Sequence, residues 1–357
     1  MFPILQPGGA TAAELVDEFN DGELDLCVWD PRQFDYPRLI DFEEANGRKF
    51  LVNTVDEQRE EQEPEKKHPC PQFFSAFDVA VDDDDLEAEN LGPSLIESPD
   101  SDVFGFDAGE KLCPKGEKRG DKEIVQRNEL RFRNTKKHRH PIHKPHWYQV
   151  VWRADGDIYD CGSARWVTAQ WKYDDKKWPD ASPFLAQRYD NGVFHISVQS
   201  GNCRCMIAKA PGDPDLEVAS LLAFTDLQRP DEDDLVDIEP LKCLWTGEDE
   251  HKGKRCNPEA TLRLQSLTSP APPPLPNPKA DWVEMNYLVR GSNDDSGMVE
   301  VYANGQFIVR AAGLIGYRGG KPSKVKFKFG HYRAKIPGTA QLLYDRVCMS
   351  KKAEKCE

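Results

Sequence analysis

Strict alternation of apolar and polar residues is the clearest pattern in the chain. In KVKFKFGHYR (324–333), Val325, Phe327 and Phe329 fall on one side of an extended strand, and Lys324, Lys326 and Lys328 on the other. QRNELRFR (126–133) sets Arg127, Glu129, Arg131 and Arg133 against Asn128, Leu130 and Phe132. RWVTAQWKY (165–173) sets Trp166, Thr168, Gln170 and Lys172 against Val167, Ala169 and Trp171, the second group being the expected core side. Two Asn-Gly pairs lie between such runs, Asn191-Gly192 and Asn304-Gly305, and this dipeptide is the strongest short hairpin cue. No stretch keeps a 3.6-residue apolar period. The pattern predicts an all-β sandwich of jelly-roll type.

Short strands are also expected over 16–55. Charged segments near 56–67, 82–85 and 97–102 read as solvated loops, because they bury too little apolar surface to offset their ordering entropy. Residues 201–280 read as an insertion containing Cys203 and Cys205, the acidic run 231–234 and the stiff proline-rich piece SPAPPPLPNP (269–278). The strand pattern resumes over 281–349. One domain over 1–357, with core strands at about 16–55, 123–200 and 281–349, is the expected organisation.

With 47 Lys and Arg against 62 Asp and Glu, the 357 residues carry a net charge of −15. That excludes a generally basic nucleic-acid binder. No apolar run approaches the roughly 20 residues of a spanning helix, which excludes an integral membrane protein of that kind. The charge is segregated: 131–153 holds seven Lys and Arg and 301–344 holds eight, with no acid in either. A basic groove on an acidic body would attract a polyanion locally. Two solvated faces balancing the acidic loops are the alternative. Ten cysteines without a CxxC pair suggest up to five disulfides in a secreted or periplasmic protein. The first residues lack the basic and apolar regions of an export signal, so that expectation rests on the cysteines. A tyrosine at position 332 among lysines and an arginine has its ionised form favoured, as an acid/base tyrosine requires. A tyrosine merely packed at a strand end is the alternative. HRHPIHKPH (138–146) reads as a solvated or substrate-lining loop before it reads as a metal site, since no acid or thiol lies nearby.

The three strand motifs, in this order, resemble the jelly-roll polysaccharide lyases. Arg127-Asn128-Glu129-Leu130-Arg131, Gln170-Trp171-Lys172 and Lys326-Phe327-Lys328-Phe329-Gly330-His331-Tyr332 are similar to the alginate lyase motifs. WYQVVWR, SPFLAQRYDNGVFHISVQ and GMVEVYANGQFIV resemble the heparin lyase and glucuronan lyase branch. The likeness spans about 123–200 and 281–349. It implies a concanavalin-like β-jelly roll of two antiparallel sheets with long loop insertions. It also implies cleavage of a uronic-acid polymer by β-elimination without a catalytic metal. On this resemblance Arg127 and Gln170 neutralise the substrate carboxylate, Tyr332 is acid or both acid and base, and Lys328 binds a carboxylate or sulfate.

Lys172 stands where the family has histidine, and a protonated lysine is a poor base. Three outcomes stay open: Tyr332 acts alone; His195 or one of His138, His140, His143 and His146 substitutes; or binding is kept without catalysis. Arg131, Lys326, Arg333, His195 and Trp147 are further candidate substrate contacts. Members of this fold often hold a structural Ca²⁺, for which Asp345 with Glu18 or Asp21 would supply oxygens. The partner expected is an anionic polysaccharide bound by a monomer, without nucleic acid or membrane. Glucuronan-like chains are favoured over heparin because the −15 balance repels heavily sulfated ones. A noncatalytic carbohydrate-binding protein of the same fold is the alternative. A hydrolase is disfavoured because no ExDxxE-type strand is present.

Overall fold

Leu130, Trp171, Phe327 and Phe329 leave their strands on the same side, and Tyr148, Trp152, Tyr287 and Tyr344 meet them from a second sheet. The computed structural model describes residues 15–17, 29–30, 40–45, 48–55, 118–119, 122–123, 125–132, 140–156, 166–174, 182–190, 192–211, 227, 229–246, 255–258, 261–318, 324–334 and 339–356. Among these, two large antiparallel sheets face each other, one of ten strands and one of nine. Trp171 packs 4.8 Å from both Phe327 and Tyr287, and Phe329 packs 4.7 Å from Tyr344. Tilted and edge-on ring pairs of this kind add about 0.5–1.5 kcal/mol each beyond area burial. Gln187 crosses the interface to donate to the Tyr287 hydroxyl at 2.7 Å, which satisfies a polar group buried in that core.

The ten-stranded sheet has Val283–Arg290, His146–Gly156 and Ala340–Ser350 at its centre. The nine-stranded sheet runs in the order Lys242–Trp245, Cys203–Lys209, Val193–Ser200, Leu185–Asp190, Trp166–Tyr173, Lys324–Ala334, Val125–Phe132 and Trp29–Asp30, and its ninth strand, His140–Pro141, pairs with Lys324–Ala334 off this path. The Asn304-Gly305 turn joins Gly297–Ala303 to Gln306–Gly313 with φ of 48° and 77° at its two central residues, the left-handed pair such a hairpin requires. Leu185–Asp190 and Val193–Ser200 pair antiparallel, with Gly192 at φ 74°.

The region 201–280 is more than an insertion. Cys203–Lys209 and Lys242–Trp245 extend the nine-stranded sheet, and Val236–Ile238 and Leu262–Ser266 form the edge of the other. The proline-rich piece docks on this framework: Leu275 is buried in the main core, and its N–H donates to the Lys209 carbonyl. Disulfides join Cys203 to Cys256, Cys205 to Cys243 and Cys348 to Cys356. Cys27, Cys70, Cys113 and Cys161 lie outside the described residues.

One strand departs from simple alternation. Trp166 is in the core, whereas Val167 packs with Ala186 and Tyr332 on the opposite face. The pairing register shifts between Val167 and Ala169 against both neighbouring strands. The bulge at Thr168 therefore exchanges the faces of Trp166 and Val167 relative to the strict two-residue period. Gln170 and Lys172, beyond the bulge, keep the face that the period predicts.

Candidate active site

The three motif strands are neighbours, with Lys324–Ala334 in the centre. Register sets Lys328 opposite Gln170 on one side and Arg131 on the other. Tyr332 lies opposite Val167 and Arg127 in the same way. Adjacent strands are about 4.8 Å apart, so each set forms a short row across the sheet. The rows face away from the intersheet core because Val325, Phe327 and Phe329 take the inner side. The Arg127 side chain lies outside the described residues; its backbone stands opposite Tyr332.

Gly330 lies between the two rows, directly opposite Glu129. Its φ is +118°, and a Cβ there would come within 2.2 Å of the Asn128 carbonyl oxygen. With no side chain at this point, the Gln170 amide reaches over the central strand and donates to the Glu129 carboxylate. The carboxylate accepts, so the nitrogen end of the amide is the one turned toward Glu129. Glu129, Gln170, Lys328, Arg131 and Tyr332 are all buried, with Tyr332 the most exposed at 9%. Charges this far from water require nearby opposite charge, and the face supplies it by setting Glu129 among Arg131 and Lys328.

The basic ladder continues toward the start of the central strand. Lys172 lies opposite Lys326. Asp174 stands just beyond and binds Lys324 at 2.7 Å and Lys326 at 2.9 Å. Burial works against ionisation of Asp174, but its two lysines outweigh burial and hold its pKa below the ordinary value.

The geometry is thus an anion-attracting polar face on one side of a β-sandwich. A sequence model described as "Polysaccharide lyase" matches residues 106–348, more than half of the chain. The chain belongs to the polysaccharide lyase family. It is a polysaccharide lyase of jelly-roll fold. Similar solved structures include an endo-β-1,4-glucuronan lyase from the fungus Trichoderma reesei, at 10% identity and TM-score 0.37, covering 66% of this chain and 77% of that one. A family 7 alginate lyase covers 64% of this chain and 78% of its own, at 13% identity and TM-score 0.33. Another covers 91% and 94%, at 11% identity and TM-score 0.32. No curated protein sequence matches the chain.

Several expected contacts of the lyase fall elsewhere. Trp147 lies on the other sheet, packed 5.6 Å from Tyr302 and directed away from the intersheet core. Alternation told which side of its strand it occupies, but not which sheet the strand joins. Arg333 points inward, fully buried over the Trp166 ring, because it is one residue out of phase with Tyr332. His195 is on the site's face, but three strands from Tyr332 along the row through Val167 and Arg188. Burial, with Arg188 beside it, lowers its pKa to about 3.

His140 does not suit metal binding. Its Nε2 faces the Lys144 carbonyl at 2.7 Å and must donate, so its Nδ1 accepts from the Tyr148 hydroxyl at 2.6 Å. His146 stacks on it at 4.1 Å. His143 is exposed, and His138 lies outside the described residues. Of the candidate calcium donors, Asp345 is engaged by the Arg48 guanidinium at 2.9 Å, and Glu18 and Asp21 lie outside the described residues. Among the described residues, no group of three His, Cys, Asp or Glu gathers as a metal site. No helix of the described residues is long and apolar enough to cross a membrane.

Arg188, Ser197 and Asp174 were not singled out from sequence. Arg188 donates to Ser197 at 3.0 Å on the site's face. Its signal was present in LAQRY, where Ala186 and Arg188 alternate with the core-facing Leu185 and Tyr189.

Proposed function

We propose that this lyase cleaves a glucuronan-like uronan by β-elimination, leaving an unsaturated uronate at the new non-reducing end. The observation that carries the reading is one sheet face that holds Arg131, Lys328, Gln170 and Tyr332, with the Arg127 backbone in register opposite Tyr332. Arg127 and Gln170 neutralise the substrate carboxylate, which makes the adjacent C5 proton acidic and stabilises the enolate-like charge that develops. Glu129 occupies one N–H of Gln170 and fixes its orientation; the second N–H serves the substrate. Lys328 and Arg131 hold anionic groups of the polymer.

Tyr332, as phenolate, takes the C5 proton. The C4–O4 bond breaks, a C4–C5 double bond forms, and the same hydroxyl returns the proton to O4. Two features favour Tyr332 as the sole acid and base. Lys172 sits beside Lys326, five positions along its strand from the Val167 that faces Tyr332. His195, with its pKa near 3, is neutral but a weak base. The −15 net charge favours a chain with one carboxylate per sugar over a heavily sulfated one. The disulfides are compatible with secretion, and we read the protein as exported.

The test is a panel of uronic-acid polymers followed by ultraviolet absorbance of the conjugated product, with Tyr332→Phe as control. Product from a glucuronan and a loss of about 10²-fold or more in the variant are expected. Full activity in Tyr332→Phe overturns the assignment of the acid and base.

A further inference from the structure

Lys324, Lys326 and Lys328 lie two positions apart on one face of the central strand, so successive ammonium groups start about 6.6 Å from each other. Lys172 stands beside the middle one. Such a ladder has no selectivity of its own: it attracts any polyanion, and a sulfated chain most of all. Asp174 changes this. Its two carboxylate oxygens are divided between neighbouring rungs, Oδ2 on Lys324 at 2.7 Å and Oδ1 on Lys326 at 2.9 Å. Its backbone N–H donates to the Lys324 carbonyl at 3.1 Å, which fixes the carboxylate at the end of the ladder. The group is chemically the same as the carboxylate of a uronic acid.

We propose that Asp174 is a specificity-determining residue that occupies two rungs of the lysine ladder as an internal substitute for a substrate anion, and so discriminates against sulfated polysaccharides. This inference rests on the reading of the face as a uronan-binding site. With Asp174 in place, the positive charge of the ladder is reduced at Lys324 and Lys326, the end away from Gln170. A chain with one carboxylate per sugar loses little, because its reacting sugar is held at the Gln170 end. A sulfated chain loses most, because its extra charges meet rungs already neutralised and a carboxylate that repels them. The lysines outweigh burial and hold the Asp174 pKa below its ordinary value, so the carboxylate that occupies the rungs is the charged one at neutral pH. Asp174 does not touch the reacting atoms: Lys326 is six positions from Tyr332, about 20 Å along the strand.

The experiment compares wild type with Asp174→Asn, which keeps the shape and removes the charge. KM and kcat on the uronan cleaved, and direct binding of heparin as the sulfated probe, are measured at low salt and at 1 M salt. At low salt, heparin binding is expected to tighten about tenfold and the uronan KM to fall about threefold, with kcat within twofold. In 1 M salt, where the screening length is about 3 Å, these differences collapse. A purely structural clamp at the strand end would instead lower the melting temperature and shift KM and kcat together, independent of salt. Lys324→Gln is the second arm and has the opposite sign: heparin binding weakens at low salt by about threefold. Heparin affinity unchanged in a folded variant of either kind overturns the inference. Absence of unsaturated product on every uronan overturns the proposed function instead, and the heparin measurement still reads Asp174.

Discussion

The side-chain amide of Gln170 and the carboxylate of Glu129 are bonded across an intervening strand, over the one position in it that has no side chain. That position is Gly330. The contact links the outer two of three motif strands, and it places Gln170 beside Lys328 with its orientation fixed. Glycine is required at 330 because a Cβ there would press on the Asn128 carbonyl and on the Asn53 side-chain amide.

Gly330→Ala is therefore expected to be costly twice over. The residue must hold φ near +118°, which a side chain adopts only with strain. A contact of 2.2 Å with backbone must also be relieved by moving the Val125–Phe132 strand. Destabilisation of at least about 1–3 kcal/mol is expected, with activity falling further than the folded fraction does. Thermal melts and specific activity on the same samples check this. A variant with wild-type stability and rate would show that the strand absorbs a side chain at 330 without moving the site.

Glu300 makes a different demand on the opposite sheet. It is fully buried opposite Arg310, and it also accepts from Arg229 at 2.7 Å and from the Tyr302 hydroxyl at 2.9 Å. Glu300→Ala removes the buried carboxylate from Arg310 and leaves it only the exposed Glu232 at 3.5 Å, and breaking a buried pair typically costs about 3–5 kcal/mol. The midpoint of denaturant unfolding should fall accordingly, with little change in KM, because this network lies on the sheet that does not carry the site. An unchanged midpoint would mean that the cluster relaxes into water.

The fold was legible where alternation was strict, and the side of the sheet on which a candidate residue lies was legible wherever alternation survived. Val325, Phe327 and Phe329 against Lys324, Lys326 and Lys328 came out as the pattern predicts, and Gly330 did not break the phase for Tyr332. Trp166 was misplaced because a bulge leaves no mark in residue type: Thr168 is an ordinary strand residue. Trp147 and Arg333 illustrate the other limits. A strand's own period cannot say which sheet it joins, and a charged residue next to a site tyrosine falls on the buried face by the same alternation. The edge strands in 201–280 were hidden by the proline and acid runs around them. They depend on long-range pairing, which composition does not encode.

The disulfide between Cys205 and Cys243 holds directly paired residues of two strands separated by 38 positions. Closing a loop of that length in the unfolded chain corresponds to about 4 kcal/mol in the chain-entropy account. Replacing both cysteines by alanine should lower stability by up to about that amount. Lys242–Trp245 is an edge strand remote from Tyr332, so kcat should change little in the folded protein. Chemical denaturation of oxidised wild type and of the double variant measures the difference, and equal midpoints would assign the bond no stabilising role.

Histidines give the protein an acid-sensitive stability. Burial holds His146 near a pKa of about 4 and His195 and His331 near about 3, all below the ordinary 6.5. Burial also depresses His140, with His146 stacked against it. The cations Lys351, Arg188 and Arg333 add to the effect on His146, His195 and His331 respectively. A depressed histidine is neutral in both states above pH 6.5 and contributes nothing to the pH dependence there. Below 6.5 the unfolded chain takes up a proton that the folded protein refuses, so stability falls with pH until the folded pKa is reached. By pH 5 the loss is about 2 kcal/mol for each such group. Asp174 belongs to a lower window, because its two lysines hold its carboxyl below the ordinary carboxylate value. The unfolding midpoint should therefore drop steeply between pH 7 and 5. His146→Gln should flatten that slope by roughly one histidine's share while leaving the dependence below pH 4 in place. A slope in His146→Gln equal to that of wild type would show that His146 is protonated as readily in the folded protein as in the unfolded chain.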